Sequence, residues 1–184
     1  MTQVKDKVKL SDPVFSLSNK LIRVVWKIVY LSLFRLSPTP FFTYRSIVLR
    51  LFGAKIGKEC VVYPNVEIWL PSNLTMGDRA ALGPSVKIYN QGNISIGEEV
   101  IVSQGAHLCA STHDYNNPVH PLILAPISIN NHAWICADAF IGPGVCVSEG
   151  AVIGARSVVS KTIPEWTVYA GNPAIKIKNR KRFS

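Results

Sequence analysis

The chain has 184 residues, 48% hydrophobic and 17% charged, which excludes a disordered chain and allows one sizeable domain with an appended arm. Its net charge of +9 is uneven: positions 1–55 hold ten Lys and Arg against Asp6 and Asp12, and the stretch from Lys176 to Arg182 adds five more without an acid. The middle is net acidic, which excludes a nucleic-acid tract along the body and points the basic ends at a phosphate-bearing cofactor or a membrane surface.

The first residues, MTQVKDKVKLSDP, have no apolar core or cleavage pattern and do not read as a secretory signal. From Leu17 to Leu36 the spacing predicts a helix with Lys20, Arg23 and Lys27 on one face. Leu21, Val24, Val25, Ile28, Leu31 and Phe34 fall on the other. Its longest uncharged run, Ile28 to Phe34, is far short of the ~20 residues a membrane span needs. Pro38 and Pro40 end the helix, and a second basic, apolar segment, FFTYRSIVLRLFGAKIG, follows. This arm (1–55) either packs on the rest of the protein or a neighbouring subunit, or lies on anionic lipid as a basic amphipathic surface.

Beyond it runs a six-residue ladder. Aliphatic anchors stand at Ile56, Val62, Ile68, Met76, Leu82, Ile88, Ile96, Val102 and Leu108, and again at Ile129, Ile135, Ile141, Val147, Ile153 and Val159. Two residues before each stands a second small or aliphatic residue, from Ala54 and Cys60 through to Ala151 and Ser157. A pair spaced by two is a short strand with both side chains on one face. Repetition every six residues stacks such strands into about five triangular coils, a mainly β, parallel β-helix over 56–164. Glycines after anchors (Gly57, Gly83, Gly97, Gly142, Gly154) are expected at corners that need unusual backbone angles.

The register breaks three times, after Ile68, Ile88 and Leu108, at intervals of 20 residues. All three insertions therefore leave from one corner of the prism. The last, 109–128, is an extruded loop carrying His113, Asp114 and His120. His107, next to an anchor, is expected to point away from the interior, and His132 to sit structurally near a corner. Cys60, Cys109, Cys136 and Cys146 show no CxxC spacing and read as free thiols in a reducing cytosol.

The hexapeptide ladder resembles the left-handed parallel β-helix acyltransferases, a handedness taken from the resemblance, since it runs against the usual crossover rule. FGAKIG at 52–57, STHDY at 111–115, PLILAPISI at 121–129, AWICADAFIGPGV at 133–145 and VYAGNPAIKIKNR at 168–180 resemble the colanic-acid-biosynthesis type of sugar O-acetyltransferase. The likeness covers nearly the whole chain, including the basic tail at 165–184. It implies acetyl-CoA as acyl donor with no metal, a sugar acceptor in surface or exopolysaccharide biosynthesis, a cytoplasmic location reaching the inner membrane face, and a homotrimer with sites between subunits.

Acetyl transfer to a hydroxyl needs a group that removes the hydroxyl proton, a task suited to imidazole. By the resemblance His113 is that base. Asp114 is a candidate orienting residue, and His120 and Trp134 line the acceptor side or flank the site. The resemblance further implies that Ala137 and Ala155 lie along the pantetheine arm, with Ser160, Lys161 and Arg180 near the nucleotide. Gly83 stands where maltose-type relatives carry an asparagine, leaving Asn90 as the candidate substitute. Acetylation of a soluble small molecule (a free sugar, an antibiotic or serine) and a non-catalytic binding module are the alternatives. A zinc site of the carbonic anhydrase type needs three stacked histidines, and the spacing of these four does not stack.

Overall fold

The structure, a computed structural model, describes residues 14–183. Its body is a three-sided parallel β-helix. The first face stacks Lys55–Ile56, Leu74–Met76, Ile94–Ile96, Ile127–Ile129 and Cys146–Val147. The second stacks Val61–Val62, Ala81–Leu82, Ile101–Val102, Trp134–Ile135, Val152–Ile153 and Thr167–Ala170, closed by the antiparallel strand Ile175–Asn179. Glu67–Ile68, Lys87–Tyr89, His107–Cys109, Phe140–Ile141 and Val158–Val159 form the third. Five coils are complete, and Ile163 on the first face and Thr167–Ala170 on the second begin a sixth. Every anchor and every residue two before it is buried. The inner column is thus continuous, each fully buried Val, Leu or Ile adding about 1.5–3 kcal/mol relative to exposure.

The corners correct one expectation. Backbone in the left-handed region falls three residues after an anchor, at non-glycine positions such as Glu59, Arg79, Glu99, Asp138 and Arg156. None of the five expected glycines has a positive φ. They are required by the close stacking of coils instead: a Cβ on Gly57 would lie 2.6 Å from the Asp78 nitrogen, and one on Gly97 2.7 Å from that of Asn131. Gly77 continues this column, and a Cβ there would stand 2.6 Å from the Glu98 nitrogen. Gly77→Ala is therefore expected to destabilise the protein by about 1–3 kcal/mol, the range for overpacking, read as a lower melting temperature. An unchanged melting temperature would contradict the close-stacking explanation.

The arm folds as α1, Leu17–Val29, capped by Ser16 at the Asn19 amide, a π-helical turn over Tyr30–Phe34, and α2, Phe42–Leu51. Residues four apart drift by about 40° around an α-helix, and the wider π turn keeps Phe34 in line with Trp26 and Tyr30. Those three rings are buried and pack on one another. The helix thus meets the body through its aromatic stripe and Arg23. Leu17, Leu21, Val24, Val25, Ile28 and Leu31 face outward, with Leu21 66% and Ile28 62% exposed. Of the predicted apolar face, Leu21, Val24, Val25, Ile28 and Leu31 point away from the body, and only Phe34 packs on it. Aromatic side chains bury the larger area, and Trp26 also finds a hydrogen-bond acceptor.

The arm also finishes the open end of the β-helix. Within the body, the carbonyl of an anchor accepts an amide from the coil before it, as Met76 does from Gly57. The first coil has no predecessor. Arg50 donates to the carbonyl of Ile56 (3.0 and 2.9 Å), Arg45 to that of Val62 (2.5 Å) and the Trp26 indole to that of Ile68 (2.7 Å). One arm side chain per face therefore replaces the missing strand, covering an edge that would otherwise invite pairing with another chain.

Candidate functional site

All three insertions leave the corner between the third and first faces, and the longest is a β-hairpin. Ser111–His113 pairs antiparallel with Leu122–Leu124, His113 opposite Leu122. Its base is fixed to the coils: the Ala110 amide donates to Tyr89, Ala125 to Ala110, and Gly144 to Ala125. His113 therefore stands on a short, well-tied ribbon.

The exposed His113 ring places Nδ1 2.6 Å from the backbone carbonyl oxygen of His120. A carbonyl only accepts, so Nδ1 carries the proton and the neutral ring holds its lone pair on Nε2. His120 has φ +44°, the left-handed region, and its own amide donates to the Asn117 carbonyl. The turn thus uses His120 as backbone, turning its carbonyl onto the imidazole while its side chain stays exposed. Asp114 makes no hydrogen bond to the His113 side chain among the described residues. Its carboxylate accepts the Asn116 amide at 3.0 Å and its amide donates to Pro121, so it shapes the hairpin tip.

Beside His113 lies an open cavity of about 550 Å³ lined by Val14, Phe15 and Lys20 of the arm, by Tyr89, Gln91 and Cys109, and by the hairpin. Gln91 donates to the Tyr89 hydroxyl at 3.0 Å, both residues belonging to the second coil at the insertion corner. These wall residues were not singled out from the sequence. The 20-residue spacing of the insertions was the available signal, because it stacks Tyr89 and Gln91 beneath the hairpin. Asn90, between them, is not an acceptor-side residue. It is fully buried, accepting the Leu70 amide at 3.1 Å and donating to the Leu70 carbonyl at 2.7 Å, so both ends of its amide are used.

The remaining candidates lie elsewhere. Trp134 is exposed on the second face, its indole donating to Ser103 at 2.9 Å, and it borders a separate cavity of about 330 Å³ with His132, Arg180 and Phe183. Arg180 donates to the carbonyls of His132 and Gly150 and lies over the Phe183 ring at 4.6 Å, so its guanidinium clips the tail to the body. Hydrogen bonds from Arg79 hold the Glu99 carboxyl below its ordinary range, and His132 Nδ1 lies 3.1 Å from that carboxylate. Ala137 and Ala155 stack at the corner between the second and third faces, joined through the Arg156 amide at 2.8 Å. Ser160 and Lys161 are exposed at the hairpin's own corner, two coils further on. One chain therefore brings His113 together with His120, Tyr89 and Gln91, and leaves Trp134, Ala137 and Ala155 on other edges of the prism.

His107 packs edge-on between Tyr89 and Phe140 on the outer third face, where burial, and secondarily Lys87, lowers its pKa. Burial pushes the Cys60 and Cys136 thiols up, which disfavours the reactive thiolate. Among the described residues no three His, Cys, Asp or Glu side chains converge as metal ligands.

No family profile matches the chain. Individual relatives do. It is 41% identical over 156 residues to the colanic acid biosynthesis acetyltransferase WcaF of Escherichia coli (strain K12), covering 85% of this chain and 86% of that one. To the galactoside O-acetyltransferase of the same organism it is 29% identical over 136 residues, covering 72% and 66%. Among solved structures, a maltose O-acetyltransferase from Clostridium difficile 630 superposes with a TM-score of 0.82 at 25% identity, covering 91% of this chain and 90% of that one. A galactoside acetyltransferase in complex with coenzyme A superposes with a TM-score of 0.75 at 23% identity, covering 92% and 86%. The β-helix with its inserted hairpin, and the 41% identity spread over most of both chains, place this protein in the hexapeptide-repeat acetyltransferase family of left-handed parallel β-helices, in the colanic acid biosynthesis branch.

Proposed function

We propose that this protein transfers an acetyl group from acetyl-CoA to a sugar hydroxyl in exopolysaccharide biosynthesis, with His113 as general base. The observation that carries this reading is the Nδ1 contact of His113 with the His120 carbonyl, which leaves Nε2 as the basic nitrogen. Acetyl-CoA supplies the acetyl group as a thioester. Nε2 of His113 takes the proton of the sugar hydroxyl as its oxygen bonds to the carbonyl carbon. The same nitrogen then returns the proton to the departing sulfur, so the imidazole ends neutral. The separation of His113 from Ala137 and Ala155 supports a site shared between copies. In this reading the chain acts as a trimer, with the hairpin of one subunit meeting the alanine corner and Trp134 of its neighbour.

Calorimetry with acetyl-CoA, followed by CoA release in the presence of a panel of sugars, tests the assignment. Binding, with release stimulated by a sugar, is expected. Absence of acetyl-CoA binding would point to the non-catalytic module, and turnover with an antibiotic or serine alone to the small-molecule alternative.

The outward stripe of α1 supports a peripheral contact with the inner face of a membrane. Six apolar side chains face away from the body, flanked by Lys20 and Lys27, and Arg35 is exposed just beyond. Among the described residues no helix is long and apolar enough to cross a bilayer. Full-length protein is expected to pellet with phosphatidylglycerol-containing vesicles, and the double variant Leu21→Glu, Ile28→Glu to stay in the supernatant with an unchanged melting temperature. Equal pelleting would sink the membrane contact.

A further inference from the structure

A groove of about 430 Å³ runs between α1 and the third face, and the acetyl-transfer site described above does not use it. Arg23 and Lys27 come to it from α1, and Lys87 and Glu67 from the third face, giving three cations against one carboxylate. Trp69 and Tyr89 add aromatic surface. Arg23 lies over the Trp69 ring at 4.3 Å, and its Nε is buried with no hydrogen-bond partner among the described residues. The guanidinium lies against both the Phe15 and Trp69 rings and forms no ion pair among the described residues, so its charge stands at the groove without a protein carboxylate to neutralise it. Lys87 and Lys27 are exposed and make no ion pair among the described residues, leaving both ammonium groups available.

Tyr89 connects this groove to the chemistry, because it lines both the groove and the cavity beside His113. Planar arginine and flexible lysine donors suit phosphate oxygens, and the rings offer stacking surface for a sugar. We propose that the groove holds the diphosphate of the acceptor while the attached sugar reaches past Tyr89 to His113, so that the acceptor class is a glycosyl diphosphate and not a free sugar. This rests on His113 as the base. The same diphosphate occurs in nucleotide-linked and prenyl-linked sugars. The exposed apolar stripe of α1 gives no preference by itself, since it lies on the opposite side of the helix from Arg23.

The test is calorimetry on full-length protein saturated with CoA, so that the donor site is filled, with inorganic pyrophosphate, UDP-glucose and farnesyl diphosphate as probes. Wild type is expected to bind pyrophosphate. Lys27→Ala with Lys87→Ala should weaken it at least about tenfold, while Lys176→Ala with Lys178→Ala, which removes the same charge from the tail, should change it less than about twofold. Tighter binding of UDP-glucose than of farnesyl diphosphate supports the groove with a nucleotide-linked acceptor, and the reverse order supports it with a lipid-linked one. No binding to wild type, or equal loss in both double variants, overturns the proposal. Protein that binds acetyl-CoA but not pyrophosphate overturns the groove alone. If pyrophosphate binds in the groove but acetyl-CoA does not bind, the acetyl-transfer reading falls and the acceptor role of the groove with it, leaving a diphosphate site alone.

Discussion

Replacing His113 with alanine is expected to lower acetyl-transfer turnover by ~10²–10⁴, the range for losing a general base, while the melting temperature and acetyl-CoA affinity stay unchanged. The side chain is exposed at the end of a hairpin, and its one hydrogen bond is to a backbone carbonyl, so its removal leaves the buried column intact. Two companion variants separate the roles. His113→Asn can keep a donor for the His120 carbonyl but offers no basic nitrogen, so it should be as impaired as alanine. His120→Ala keeps its carbonyl and loses only an exposed imidazole, so its effect should be much smaller. Near-normal turnover of His113→Ala, or a larger loss in His120→Ala, would move the base elsewhere.

Arg45→Met is expected to produce the largest loss of stability of any single change in the arm. Arg45 is 0% exposed and has no carboxylate partner among the described residues. Its guanidinium donates to the carbonyls of Val62, Pro38 and Thr39 and to the Ser37 hydroxyl. Burial lowers its pKa, yet a guanidinium remains charged in a protein. Methionine fills similar space but leaves the buried Val62 carbonyl facing an apolar chain, at about 1–3 kcal/mol, and loses three partly buried hydrogen bonds worth about 0.5–1.5 kcal/mol each. Relief of the buried charge offsets part of that. A net loss of about 3 kcal/mol or more is expected, seen as a lower melting temperature and as rapid proteolysis across positions 37–41. Wild-type resistance there would show that the fan of hydrogen bonds does not hold the arm.

The β-helix was legible because its constraint is strict: an interior one residue wide admits only small or aliphatic side chains, every second position, six apart. That is why each anchor and its partner two residues earlier is buried. The sixth coil escaped because Ile163 follows Val159 by four residues, outside the period. The glycine corners were misread because close approach and left-handed backbone select the same residue type, and sequence does not separate them. The arm's orientation was lost for a related reason. A helical wheel shows two faces of α1 without saying which one meets protein, and the aromatic stripe of Trp26, Tyr30 and Phe34 decides it.

At the hairpin, spacing located His113 at a rigid corner but could not identify what holds it. Its partner is the backbone of His120, seven residues on, and a carbonyl leaves no residue signature. The partners of Asn90 and Asp114 were illegible on the same account: each side chain bonds backbone groups of Leu70 or Asn116, and those bonds depend on coil stacking and turn geometry.

A structure of the protein with CoA bound tests the central assignment most directly. The sulfur is expected at a junction between two copies, with the transferred carbonyl position and Nε2 of His113 close enough for one sugar hydroxyl to lie about 3–3.5 Å from the carbon it attacks. Ala137 and Ala155 of the neighbouring copy should lie along the pantetheine arm. A sulfur lodged away from every His113 in the assembly would contradict His113 as the general base.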